Sequence, residues 1–130
     1  MTDITVVALD DVEPVLLGGG SWSRVLVSAA TTPTTGTTLG YTVFAPATAT
    51  IHMRHEAEEL AYVVSGSGVI QLDEAAVRVE SDGACHIPRD VWHSVVNDSP
   101  DTPLVMVFVF ASPEYPPTER RSFVPTGVSE

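Results

Sequence analysis

From Thr48 onward, apolar and polar positions alternate in short runs that turn-forming residues interrupt at spacings of about ten residues. Read as strands, the runs are Thr48 to Arg54, Glu59 to Ser65, Gly68 to Leu72, Ala75 to Val79, Ala84 to Ile87, Trp92 to Val96 and Leu104 to Phe110. Gly66, Gly68, Asp73-Glu74, Ser81-Asp82-Gly83 and the stretch from Asn97 to Pro103 punctuate them. Upstream, Ile4 to Leu9, Trp22 to Ala29 and Leu39 to Ala45 have strand character. Pro14, Gly18-Gly19-Gly20 and the polar loop Thr31 to Thr38 separate these runs. No window longer than about ten residues keeps a helical period free of proline or glycine. The pattern therefore predicts an all-β sandwich or barrel. The tail from Ser112 to Glu130 holds four prolines and no periodicity, and is expected to form an extended strap over the barrel or a partner subunit, or to be partly mobile.

Composition narrows the field. A chain of 130 residues, 44% of them hydrophobic, predicts one domain with one core. Its expected parts are N-terminal strands within 4–29, a core of about 39–110 and the tail from 112. The longest apolar run, Leu104 to Ala111, is strand-sized and far short of a membrane span. No basic region leads into an apolar one at the N-terminus, so a cytoplasmic protein is expected. The formal charge of −11, from 17 acidic residues against 6 arginines and no lysine, argues against nucleic-acid or anionic-membrane partners. The missing lysine also excludes Schiff-base and P-loop chemistry. A single cysteine, Cys85, forms no intrachain disulfide and reads as a small buried strand residue.

The candidate chemistry sits in two segments. Ile51 to Gly68 carries His52, His55, Glu56, Glu58 and Glu59, and Gly83 to Asn97 carries His86 and His93. On a strand, His52 and Arg54 share one face while Met53 and His55 share the other. Glu59 opens a strand whose inward set is Glu59, Ala61, Val63 and Ser65, and a carboxylate there is costly unless a cation or donor meets it. After the turn at Pro88-Arg89-Asp90, His93 shares its face with Val95 and Asn97. Imidazoles plus a carboxylate are a normal ligand shell for Fe, Mn, Ni, Cu or Zn. A plainer reading makes these histidines surface or core-capping groups, and His86 fits it best.

The two segments resemble the paired motifs of the cupin superfamily, G-x5-H-x-H-x(3 or 4)-E-x6-G and G-x5-P-x-G-x2-H-x3-N. The first corresponds to Pro46-x5-His52 followed by Glu59-x6-Gly66, and the second to Gly83-x4-Pro88-x-Asp90-x2-His93-x3-Asn97. The resemblance implies that His52, Glu59 and His93 bind one divalent transition metal. The motif's second histidine falls on Arg54 if four residues precede Glu59, and a guanidinium donates no lone pair. With three residues it falls on His55, whose partner is then Met53. Both His52 and His55 are expected to ligate through a local bulge, which gives His52, His55, Glu59 and His93 as the metal set. The resemblance further implies a double-stranded β-helix, or jelly-roll barrel, commonly paired as a homodimer, with an apolar interface expected to include outward residues of the first strand.

Cupins span many activities. The leading expectation is a metal-dependent enzyme of dioxygenase or oxidoreductase type acting on a small aromatic or enolisable substrate. Glu59 would serve as ligand and base, and Arg54 would clamp a substrate anion at the barrel mouth. A salt bridge from Arg54 to Glu56, Glu58 or another surface acid is the alternative. Other readings are a non-redox cyclase, isomerase or dehydratase of polyketide or antibiotic metabolism, or a non-catalytic ligand-binding barrel.

Overall fold

The computed structural model describes residues 3–123 and is built from β-strands with one short 3-10 turn at Leu9–Asp11. In chain order the strands are β1 Val15–Gly18, β2 Ser21–Val27, β3 Thr38–Phe44, β4 Thr48–Ala49, β5 His52–His55 and β6 Glu59–Ser65. They continue as β7 Ser67–Gln71, β8 Ala76–Glu80, β9 Ala84–Ile87, β10 Ser94–Asn97, β11 Leu104–Phe110 and β12 Thr118–Arg121. One sheet runs β1-β2-β3-β11-β6-β9, a second β4-β10-β7-β8, and β12 pairs with β5. Every pairing is antiparallel. The fold is the all-β barrel that the sequence pattern predicted, in the jelly-roll form that the family resemblance implied. No helix among the described residues is long and apolar enough to cross a membrane.

Alternation along β11 shows how the sequence builds the barrel. Leu104, Met106, Phe108 and Phe110 turn inward and Val105, Val107 and Val109 outward, as a pleated strand requires. Seven consecutive register pairs join β11 to β3, from Leu104–Phe44 to Phe110–Thr38. On its other side β11 sets Phe110, Phe108 and Met106 opposite Glu59, Ala61 and Val63 of β6. Phe44, Ala61, Val63, Ile70, Val79, Ile87, Leu104 and Met106 form the packed core. Burial of Leu104 and Val63, both almost fully enclosed, stabilises the fold by about 1.5–3 kcal/mol per side chain. Gly40 lacks a side chain where the Phe108 ring lies across β3. Gly66, at φ +83°, makes the one-residue bend by which the chain passes from β6 in one sheet to β7 in the other, close against the Pro103 carbonyl.

Three expectations need correction. Ile4 to Leu9 forms no strand: Ile4 and Val6 are exposed and have no sheet to bury against, so β-branched propensity finds no packing to express it. Arg24 instead holds this segment through the carbonyls of Leu9 and Val12. The expected strand Thr48 to Arg54 is interrupted between β4 and β5, where the Thr50 hydroxyl accepts from the Val95 amide. The sequence pattern predicts no strand at β1, which ends on the first glycine of the triplet; all four of its residues are exposed, so no buried face marks it in the sequence. In the tail, β12 straps β5; the remainder, 124–130, lies outside the described residues.

Asn97, at the end of β10, ties the sheets together. Its amide donates to the carbonyls of Phe44 and Thr102 and its oxygen accepts from the Ser99 amide, all with the side chain buried. Orphaned buried groups cost about 1–3 kcal/mol each, so Asn97→Ala is expected to lower unfolding stability by about 3 kcal/mol in urea denaturation; a loss below about 1 kcal/mol contradicts this role.

Candidate metal centre

β5, β6 and the segment before β10 converge on one point inside the barrel. The backbone of Met53 exchanges two hydrogen bonds of 2.8 Å with His93, which docks the β10 segment onto β5. Asp90 donates its amide to the His55 carbonyl. Asp90 also takes φ +64°, the left-handed conformation that suits the motif's glycine and that aspartate tolerates better than most residues. These constraints bring single ligand atoms of His55, Glu59 and His93 within 4.8 Å of one another. Nε2 of His55 lies 3.6 Å, and Nε2 of His93 3.7 Å, from Glu59 Oε1.

The hydrogen-bond pattern decides which ring nitrogens face that point with lone pairs. Thr118 Oγ1 donates its one proton to the Pro116 carbonyl, so at 2.7 Å it accepts from His55 Nδ1. His93 Nδ1 donates to the Val91 carbonyl at 2.9 Å. Each Nε2 is therefore the unprotonated nitrogen, aimed at a carboxylate oxygen that has no hydrogen-bond donor among the described residues. Burial pushes the Glu59 carboxyl up to about 8. Burial, then His93, then Arg120 push the His55 imidazole down to about 4, and burial also lowers His93. Two neutral imidazoles and a carboxylate reluctant to ionise form an acceptor cluster that a divalent cation would satisfy. On this donor chemistry the residues fit a transition metal.

The structure separates the other expected site residues from this cluster. β5 pairs with β12 without a bulge, through Thr118–His55, Glu119–Arg54, Arg120–Met53 and Arg121–His52. Strict alternation turns Met53 and His55 into the barrel and His52 and Arg54 out of it, so the bulge expected to bring His52 to the metal does not form. His52 Nε2 donates to Asp73 at 2.8 Å and Nδ1 meets the Ser94 hydroxyl at 2.6 Å, which occupies both nitrogens. Its ring stacks on Phe123 at 4.1 Å. Arg54, expected at the barrel mouth, pairs with Glu119 at 3.0 Å and lies over the Trp92 ring. The salt-bridge alternative, with a tail acid as partner, describes it. His86 lies on the outer face, half-exposed and 3.9 Å from Glu58. Cys85 packs beside the core, and burial followed by the Glu59 charge raises its thiol pKa.

The cluster opens into a cavity of about 910 Å³ lined mainly by apolar side chains, among them Ile51, Met53, Ile70, Val95, Met106 and Phe108. Tyr115 and Arg120 also line it. Neither was singled out from the sequence, because both lie in the aperiodic tail. The alternation of Thr-Glu-Arg-Arg is the one local signal that could have placed Arg120 on the face opposite Arg121.

Comparison with known proteins agrees with this geometry. A family model described as Cupin domain matches residues 40–110. The structure of the polyketide cyclase RemF from Streptomyces resistomycificus is similar at a TM-score of 0.78 and 23% identity, over 95% of this chain and 89% of that one. Oxalate decarboxylase from Lactobacillus farciminis, in its formate complex, gives 0.75 at 18% identity, over 85% of this chain and 34% of that one. A cupin-like protein from Thermotoga maritima gives 0.70 at 23% identity, over 82% and 79%. At these identities the likeness establishes a common fold. No curated protein matches the chain in sequence. The matched segment covers more than half of the chain and contains His55, Glu59 and His93, and the chain belongs to the cupin domain family.

Proposed function

We propose that this protein is a metal-dependent cupin enzyme that takes an enolisable aromatic molecule into its barrel and acts on it by non-redox chemistry of the cyclase, isomerase or dehydratase type. One observation carries the metal assignment: Glu59 Oε1 lies buried, with no donor among the described residues, between two imidazole lone pairs in a large, mainly apolar cavity. His55, Glu59 and His93 would hold the ion. A bound divalent metal supplies Lewis acidity toward a carbonyl or enolate oxygen. Thr118 and the Val91 carbonyl fix the two ring tautomers, the outer-shell support that ligating histidines usually have. Met53 stands where the family motif has its first histidine, and a thioether is a weak ligand for a hard divalent ion, so three firm donors leave room for substrate.

The cavity volume lies toward the upper part of the range for small-molecule sites, which suits a fused-ring substrate better than a two-carbon acid. The likeness to a structure named as a polyketide cyclase, over nearly the whole of both chains, supports the non-redox reading. A second reading, dioxygenase-type oxidation, is favoured by the donor set itself, since two histidines and one carboxylate also serve non-haem iron oxygenases. Oxygen consumption by the metal-loaded protein with catechol, flavonol or β-diketone probes separates the two. A silent electrode is expected, and stoichiometric uptake would establish the oxygenase instead.

Protein purified without chelator is expected to carry near-stoichiometric transition metal by elemental analysis. His55→Ala and His93→Ala should each weaken binding by more than the roughly 10–100-fold that loss of a ligand-orienting partner costs. His52→Ala should retain the metal, because that ring faces outward; metal loss in this variant alone would overturn the ligand assignment.

Metal affinity should also depend on pH with a definite sign. Above about 4 the His55 imidazole is neutral, burial disfavours the charged form of His93, and below about 8 the Glu59 carboxyl holds a proton, so binding a cation in that window releases the carboxyl proton. Apparent affinity is then expected to rise roughly tenfold per pH unit across that window and to level off above it. Competition against a chelator of known pH dependence reads the slope; a flat profile between pH 5 and pH 7 rejects the buried-carboxyl account.

We also propose that two copies pair through the outward row of β6, where Leu60, Tyr62 and Val64 stay exposed. Sedimentation should show a dimer that Tyr62→Glu disrupts. A monomeric wild type at micromolar concentration would reject the pairing.

A further inference from the structure

The six arginines are the only fixed cations of a chain with 17 acidic residues. Five of them face carboxylates: Arg24 with Asp10, Arg54 with Glu119, Arg78 with Asp98, Arg89 with Asp90, and Arg121 with Asp73. Arg120 has no acidic partner among the described residues. It stands opposite Met53 in the β12–β5 register and lines the cavity with it, while its neighbours Glu119 and Arg121 point outward into ion pairs. In so acidic a protein, a cation paired with no carboxylate among the described residues and lining a mainly apolar chamber is a local inversion of charge. Glu59 is the one acidic residue among those lining that chamber, and on the reading proposed above its charge is engaged by the metal.

Tyr115 completes the feature. Its ring meets His55 edge-on at 5.7 Å and Phe110 at 5.0 Å, which fixes it at the wall of the same cavity. Burial, together with Glu59, pushes its hydroxyl up to about 12, so it remains a hydrogen-bond donor at neutral pH. A guanidinium and a phenolic O–H thus join the metal-site residues and a few serine and threonine hydroxyls in lining a chamber that is mainly apolar.

We propose that Arg120, with Tyr115 beside it, is the specificity determinant for an anionic group, a carboxylate or phenolate, carried by an otherwise apolar fused-ring aromatic ligand. The inference rests on the proposed use of the cavity for an aromatic substrate. Arg120 and Tyr115 are both exposed where they line the chamber, so the charge-assisted bond from guanidinium to oxyanion forms at its solvent-facing edge and keeps its two-pronged geometry while losing strength to screening. The ligand is then held at two ends: its anionic group at Arg120 and its reacting oxygen toward His55, Glu59 and His93.

The test uses the metal-loaded full chain and two probes of equal shape, anthracene-2-carboxylate and anthracene-2-carboxamide, titrated by calorimetry. The wild type is expected to bind the carboxylate about three- to tenfold more tightly than the amide. Arg120→Met should bring the two affinities together and Arg120→Lys should keep part of the difference. Arg78→Gln, which removes the same charge from the outer surface, should keep all of it. Equal binding of the two probes by the wild type, no binding of the carboxylate at millimolar concentration, or an undiminished preference in Arg120→Met overturns the proposal. Metal content is measured on the same samples. A metal-free wild type with an Arg120-dependent preference defeats the metal reading and sustains the clamp, and a metal-bearing wild type with no preference does the reverse.

Discussion

Three lone-pair donors meeting inside the barrel are the constraint on which the site depends. His55, His93 and Glu59 each present an acceptor to the same few cubic ångströms, and the hydrogen bonds behind the two rings keep either from rotating a proton into the gap. Such an arrangement is unfavourable by itself. The barrel sustains it because the backbone around it is tightly tied: β5 is paired to β12 on one side and joined to His93 on the other, and β6 lies between β11 and β9. The packed core adjoins the site directly, since Phe44, Ala61, Ile70, Ile87 and Met106 belong to the core and also line the cavity.

Much of this architecture could be read in the chain. Leu104 to Phe110 and Glu59 to Ser65 were legible to the residue, because each carries a long alternation with one face buried by two neighbours. The same rule failed for Ile4 to Leu9, where apolar residues have the composition of a strand but nothing beside them to complete a sheet. Glu59 and His93 were identifiable from spacing, and the structure brings both to the cluster. His52 was misplaced for a specific reason. Alternation states which residues share a face and is silent about which face is inside. The answer here came from the partner strand, β12, whose position no local pattern in the proline-rich tail announces.

That partner strand alters how the tail is understood. Thr118 orients a histidine and Arg120 faces the chamber, while Glu119 and Arg121 bind Arg54 and Asp73 on the outer side. His52, flanked by Phe123 and Trp92 and bonded to Asp73 and Ser94, belongs to the outer fastening. Two histidines three positions apart therefore have unrelated duties: one belongs to the interior chemistry and the other secures the strap that supports it.

The two-faced character of His52-Met53-Arg54-His55 restricts how this family member can change over evolutionary time. Deleting one residue from the turn at Glu56-Ala57-Glu58 would shift β5 by a single pleat and exchange its inner and outer rows. The barrel would then receive an imidazole and a guanidinium where it now has a thioether and an imidazole, and the outer aromatic stack would lose its central ring. Drift in loop length, harmless at most surface turns, is therefore closed to this one.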